Sequence, residues 1–295
     1  MDEHDLLARR FEESRGQMRA VAYRMLGSLS EADDAVQEAW IRLSRVDAGG
    51  VENLGGWLTT VVSRVCLDML RSRRSRHEES LEVHLPDLLV SRADGMDPEQ
   101  EALLADSVGV AMAVVLGELA PAERLAFVLH DMFAVPFDEV AQVLGREPAA
   151  VRQLASRARR RVQGSVPAPT ADRMQQRELA DAFLAASRSG DRDALLAVLD
   201  PHVLLRVDAG ADAPAPGTSK LVRGAHDVVA QALMFSSAAW FARPALVNGT
   251  PGLITIHDGR TLGVMGFTVR GGRIAEIHIL ADPVRLEALD VSAFR

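Results

Sequence analysis

The sequence predicts a multidomain chain in which two all-α helical blocks, the second carrying a helix-turn-helix, precede an α+β block. Three observations predict it. Apolar residues recur at three- and four-residue spacing through the first half, the period of helices with one buried face. Within 136–162 two short periodic segments are joined by Gly145, the residue that permits a tight turn. Alternating, β-branched segments punctuated by glycine begin only near Val203.

Taken in order, 11–26 carries Met18, Val21, Ala22 and Met25 on one helical face, and Gly27 with Ser28 breaks it. Ser30 is the expected N-cap of the next helix, with Asp33 at the capping-box distance. That helix, 31–43, should bury Ala35, Val36, Ala39, Trp40 and Leu43. Gly49, Gly50, Gly55 and Gly56 surround an expected loop, after which Trp57 opens a long helix through Val61, Val65 and Leu70. Residues 77–101, with Pro86, Pro98 and many acids, read as a linker. Helices are expected over 102–116, 121–131, 137–144 and 148–162, and small residues with proline at 164–172 mark a second boundary. Beyond it come helices 173–187 and 192–199, then strands 203–207, 245–247, 253–257, 262–269 and 274–280. Alternation in the last puts Ile274 and Glu276 on one face and Ile277 and Ile279 on the other, with Gly271-Gly272 as its hairpin turn. The domains are therefore 1–76, a linker 77–101, 102–163 and 172–295.

Composition bounds the function. At about 100–200 residues per domain, 295 residues exceed one core. Hydrophobic residues at 48% and charged residues at 25% exclude wholesale disorder. No run of about 18 apolar residues and no basic-then-apolar N-terminus occurs, so the expected location is the cytoplasm, with no membrane partner. The single cysteine, Cys66, excludes an internal disulfide and a multi-cysteine zinc site, and beside Val65 and Leu67 it reads as a packed thiol; no metal or cofactor is expected.

A net charge of −8 argues against a protein that coats DNA, yet the positive charge is clustered. Arg64, Arg71, Arg73, Arg74 and Arg76 face only Asp68 in one stripe; Arg146, Arg152, Arg157, Arg159, Arg160 and Arg161 face only Glu147 in another. In the second, Pro136 and Pro148 start helices whose inner faces are Val140, Val143 and Leu144, then Val151, Leu154, Ala155, Ala158 and Val162. The outer positions Glu147, Ala149, Ala150, Arg152, Gln153 and Ser156 are those that meet base edges in a major groove, and Arg157, Arg159, Arg160 and Arg161 would grip phosphates. DNA is the expected partner of such a pair.

A second candidate site lies earlier. Asp34, Gln37, Glu38 and Arg42 occupy adjacent turns outside the apolar face of 31–43; a solvated surface has the same pattern. With Gly56-Trp57-Leu58-Thr59-Thr60-Val61-Val62-Ser63-Arg64 and Leu67-Asp68-Met69-Leu70-Arg71-Ser72-Arg73-Arg74 behind it, this stretch closely resembles the second conserved region of bacterial RNA polymerase sigma factors. The resemblance implies that the acidic ridge docks on core RNA polymerase and that Trp57, Thr60, Arg64, Arg71, Arg73 and Arg74 recognise and open the minus-ten element of promoter DNA; Trp57 reads equally as a core anchor. The helix-turn-helix resembles the fourth conserved region, which reads the minus-thirty-five element. Two regions joined by a short linker resemble the extracytoplasmic-function group.

The third block resembles the cone-shaped α+β domains of the SnoaL and ketosteroid-isomerase type. A sigma factor so extended resembles the SigJ-type subgroup, whose extension regulates from within the chain. That resemblance assigns regulatory contacts to Pro86 and Asp87 in the linker, to Asp208, and to Asp282 with Arg285, although the glycine triplet and leading asparagine of the subgroup's two C-terminal motifs are missing. An acid/base pair drawn from Asp208, His226, His257, Asp258, His278 and Asp282 would make the block an enzyme, and an apolar cavity would hold a small ligand. The expected function is a sigma factor that directs RNA polymerase to promoters, without catalysis of its own. The alternatives are a one-component ligand-responsive regulator and an isomerase or cyclase with a DNA-binding tail.

Overall fold

The computed structural model describes residues 3–45, 53–75, 84–92, 109–165, 173–210 and 219–294. Arg76, Gly49, Gly50, most of the expected linker, the first turns of the 102–116 helix and the 166–172 boundary lie outside the described residues. The chain divides into two compact units, residues 1–79, 98–106 and 115–165 in one and residues 80–97, 107–114 and 166–295 in the other.

In the first unit, α1 (Glu3–Leu26), α2 (Leu29–Leu43) and α3 (Leu54–Ser75) pack on one another. Met18, Val21, Ala22 and Met25 are fully buried, as their spacing requires. Gly27 takes φ 73, where its N–H reaches the Tyr23 carbonyl at 2.8 Å and stops the helix. The cap of α2 is Ser28 and not Ser30: Ser28 alone keeps extended backbone (φ −126, ψ 133), and its carbonyl already accepts the Ala32 N–H at 3.0 Å. The loop expected around Gly55 and Gly56 is the first turn of α3. Asn53 Oδ1 accepts the Gly56 N–H at 3.0 Å, and a Cβ on Gly56 would stand 2.8 Å from Asn53 Nδ2, so the glycine serves close capping.

The same unit holds α5 (Pro121–Phe127), a π-helical turn (Val128–Met132), α6 (Phe137–Leu144) and α7 (Pro148–Ser165); α4 (Gly109–Glu118) precedes them. All eight predicted inner-face residues of α6 and α7 are buried. Gly145 between them adopts φ 62, ψ 41, the left-handed conformation.

In the second unit, α8 (Arg173–Ser189) and α9 (Arg192–Val198) lead into β2 (Leu199–Asp208), β3 (Lys220–Arg223), α10 (Ala225–Met234), α11 (Ser236–Ala239), β4 (Ala242–Val247), β5 (Thr250–His257), β6 (Arg260–Arg270), β7 (Arg273–Leu280) and α12 (Pro283–Glu287). The sheet order is β1-β4-β5-β6-β7-β2-β3, where β1 is Val90–Ser91 from the linker stretch. Among the described strands only β2 and β7 run parallel. Hairpins turn at Asn248-Gly249, Asp258-Gly259 and Gly271-Gly272, each pair at positive φ as a type I′ turn demands.

Helices α8, α9 and α10 cover one sheet face with Phe183, Leu195, Leu205, Val228, Phe267 and Ile277. The other face, with Ile254, Val264 and Leu280, is covered by Leu85, Leu88, Val90, Val110, Val114 and Leu286. The predicted faces of β7 need correction: Ile274 packs in the same core as Ile277 and Ile279. A bulge between Ile274 and Glu276, where Val269 pairs with Ile274 and Thr268 with Glu276, reverses the alternation.

Candidate functional site

Burial of Ala32, Ala35, Val36, Ala39 and Leu43 turns the opposite side of α2 outward. There Asp34 and Gln37 are exposed, and Glu38 pairs with Arg42 at 2.9 Å one turn away. Asp33 is tied to Arg19 of α1 at 2.6 Å. Asp34, Gln37, Glu38 and Arg42 thus share the outward side of α2, where Asp34 makes no ion pair among the described residues.

On α3, Trp57 and Thr60 are half-buried, and Arg64 and Arg71 are exposed. Arg71 lies 3.7 Å from Asp68. Arg64 Nη2 donates to the Gln142 carbonyl of α6 at 3.2 Å, a contact no sequence pattern suggests. Arg73 is turned inward: its Nε donates to Glu31 at 3.1 Å and its Nη1 to the Leu26 carbonyl at 3.3 Å, so a carboxylate and a helix end claim it. The Arg74 side chain lies outside the described residues. Cys66 is fully buried, and burial pushes its thiol up to about 12, leaving a packed and unreactive group.

Beside these lies Arg124, which sequence reasoning missed. It is buried, donates to the Met25 carbonyl at 2.7 Å and to the Gly117 carbonyl, and is pushed down to about 10 by burial and by Arg73. The C-terminal carbonyls of α1, which carry partial negative charge, thus hold two arginines. An arginine between apolar Leu125 and acidic Glu123 offers no sequence signal of burial.

Across α6 and α7, Glu147, Ala149, Arg152, Gln153, Ser156, Arg157 and Arg160 are exposed and Ala150 is half-buried, all on the side away from the core. The arginines divide into two kinds. Arg157 and Arg161 both lie 3.4 Å from Glu123, Arg159 lies 2.5 Å from Asp131, and Arg160 Nε reaches the Ser156 carbonyl at 3.5 Å. Arg152 instead has its Cζ over the Phe137 ring, 5.6 Å from the centroid. Phe137 is stacked on His130 with centroids 3.6 Å apart.

In the second unit the sheet and the 84–92 stretch meet in one ionic cluster. Arg285 donates from Nη1 to Asp208 at 2.8 Å and from Nη2 to Asp87 at 3.0 Å. Asp208 also accepts the Leu85 N–H at 2.8 Å and the Gly210 N–H at 3.1 Å, and His84 Nδ1 is 3.3 Å away. Burial raises the Asp208 carboxyl, but the His84 hydrogen bond and the Leu85 and Gly210 N–H groups outweigh it, leaving it below its ordinary value. Asp282 caps α12 by accepting from Val284 and Arg285, which fixes the base of the Arg285 side chain. Pro86, half-buried between Leu85 and Asp87, orders the backbone there. Asn248, also missed, exchanges bonds with Leu89, accepting at Oδ1 and donating from its N–H, both at 2.8 Å. The Asn-Gly dipeptide signalled a turn, not this grip.

The acid/base candidates are dispersed. Asp208 and Asp282 are engaged as above, His226 is exposed on α10, and His257 with Asp258 is exposed at a hairpin. His278 is fully buried with its Nε2 3.3 Å from Glu276. Among the described residues no group of His, Cys, Asp and Glu is arranged to hold a metal, and no helix is long and apolar enough to cross a membrane.

Comparisons with known proteins match this layout. The model of sigma-70 region 2 matches residues 10–76, and that of sigma-70 region 4 matches residues 110–162. The chain is 33% identical to the probable ECF RNA polymerase sigma factor SigI of Mycobacterium tuberculosis over 98% of each chain. It is 38% identical to the ECF RNA polymerase sigma factor SigJ of the same species, over 92% of this chain and 91% of the relative. The crystal structure of M. tuberculosis SigJ aligns with a TM-score of 0.77 at 34% identity, covering 96% of this chain and 99% of that one.

Proposed function

The chain belongs to the ECF RNA polymerase sigma factors, and from that premise we propose how its parts place a polymerase at a promoter. As a sigma factor it binds DNA through its sigma domains and directs RNA polymerase to specific promoters to initiate transcription. In our reading Asp34, Gln37, Glu38 and Arg42 form the face for core polymerase. Trp57, Thr60, Arg64, Arg71 and Arg74 open the minus-ten element, and α7 enters the major groove of the minus-thirty-five element. Arg73 serves the fold of the first unit, supported by its bonds to Glu31 and Leu26. The chain works in the cytoplasm and contributes binding without chemistry.

The α+β block acts as a fused regulator through the 84–92 stretch. The observation that carries this reading is the cluster in which Arg285 bridges Asp87 and Asp208 while Asp208 accepts the Leu85 N–H. The stretch belongs to the same chain segment that links the two sigma regions, so whatever holds it limits where those regions can go. The test adds the purified chain to core RNA polymerase on genomic templates. Promoter-dependent transcripts are expected, and their start sites should change when Arg285→Ala frees the stretch. Identical transcript profiles would remove the regulatory assignment.

A further inference from the structure

The basic residues of α7 are not equivalent in what they touch within the protein. Arg157, Arg159, Arg160 and Arg161 each have a carboxylate or carbonyl of the protein within hydrogen-bond or ion-pair reach. Among the described residues Arg152 is the one guanidinium of α7 with no such partner. Its Cζ lies instead over the Phe137 ring, 5.6 Å from the centroid. A ring takes the flat face of a guanidinium and leaves its in-plane N–H groups unused, the groups that make bidentate hydrogen bonds.

The ring itself is fixed from below. Phe137 is the first residue of α6, straight after Pro136, so its backbone is set by the helix start. His130 lies against it at 3.6 Å with 24° between the planes. His130 Nδ1 is 3.0 Å from the Val135 carbonyl, which can only accept, so Nδ1 carries the proton and the imidazole cannot rotate without losing that bond. His130 sits in the π-helical turn Val128–Met132, whose wider backbone carries it beneath Phe137. Three elements thus converge on one side chain.

Resting on the placement of α7 in the major groove, we propose that Arg152 reads a guanine in the minus-thirty-five element. Phe137 and His130 are positioning residues that hold its guanidinium edge toward the bases. Guanine is the base whose O6 and N7 accept from a guanidinium in bidentate fashion. A phosphate contact needs no such orientation.

The experiment uses holoenzyme made from the full chain and core polymerase, a template pool randomised upstream of a promoter, and sequencing of the transcripts. Wild type should favour guanine at one base pair by about 10-fold or more. Arg152→Ala should flatten that position alone. Phe137→Leu should reduce the same preference several-fold, Phe137→Tyr should keep it, and His130→Ala gives a second way to disturb the stack if Phe137→Leu does not fold. Uniform weakening of all templates by Arg152→Ala, with a salt slope lower by about one, would make Arg152 a phosphate contact and overturn the assignment. Full guanine preference in both Phe137→Leu and His130→Ala would remove the positioning role. A wild type indifferent to every upstream base would reject the groove placement of α7 together with the proposal.

Discussion

At the scale of single residues, the polar groups that matter most are those whose partners come from distant sequence. Arg124 fills the carbonyl end of α1 while buried, so Arg124→Met should leave the Met25 and Gly117 carbonyls without a donor. The expected cost is about 2–3 kcal/mol, read as a lower denaturant midpoint of the full chain. Asp208 makes a pH prediction. Its carboxyl lies below the ordinary value of 3.8. A carboxylate held below its unfolded value stabilises the fold above that value and loses this contribution as pH falls through the folded one. Hydrogen-exchange protection of the Leu85 N–H should therefore persist through mildly acid conditions and vanish only below the ordinary carboxylate range. Loss of protection already in near-neutral solution would mean that ionisation of Asp208 does not control the contact. The family resemblance marked Asp208 and Arg285 as contact residues, but their pairing with each other was not legible in sequence: they stand 77 positions apart, and periodicity carries no information over that distance.

At the scale of elements, amphipathic spacing determined the helices well because burial of one face is what makes short helices stable. It failed where backbone capping decides. Ser28 caps in place of Ser30, and the Gly55-Gly56 pair begins α3 because Asn53 folds back over it. The four-residue strand β3 is too short for a periodic signature and exists because β2 offers a partner, whereas α10 does carry helical spacing, in Ala225, Val228, Val229, Ala232 and Leu233, which the sequence reading passed over. Gly145 gives the test at this scale. A Cβ there would meet nothing within 4 Å, so Gly145→Ala costs only the left-handed backbone, about 1–2 kcal/mol. Relaxing that strain re-angles α7 against α6, so minus-thirty-five recognition should weaken in template competition by more than thermal stability falls. Equal retention of both would show that the turn tolerates the change.

At the scale of the whole molecule, the segment read as a linker is partly a structural component: Leu85, Leu88 and Val90 lie in a core and Val90–Ser91 extends the sheet. Deleting 172–295 strips those side chains of their partners. Such a truncated chain should still bind core polymerase, in a pull-down, yet direct a changed set of transcripts; an unchanged set would count against a regulatory α+β block. Sequence by itself determined the order of blocks, the inner faces of the helix-turn-helix, the outward ridge of α2 and the family. Those properties follow from local periodicity and from motifs whose residues are near one another along the chain. Only the tertiary structure decided which arginines face solvent and which are spent inside, that Arg152 rests on an aromatic stack, and that Asp87, Asp208 and Arg285 form one cluster. Charge and hydrogen bonding act through space over a few ångströms, and the fold alone sets which side chains come that close.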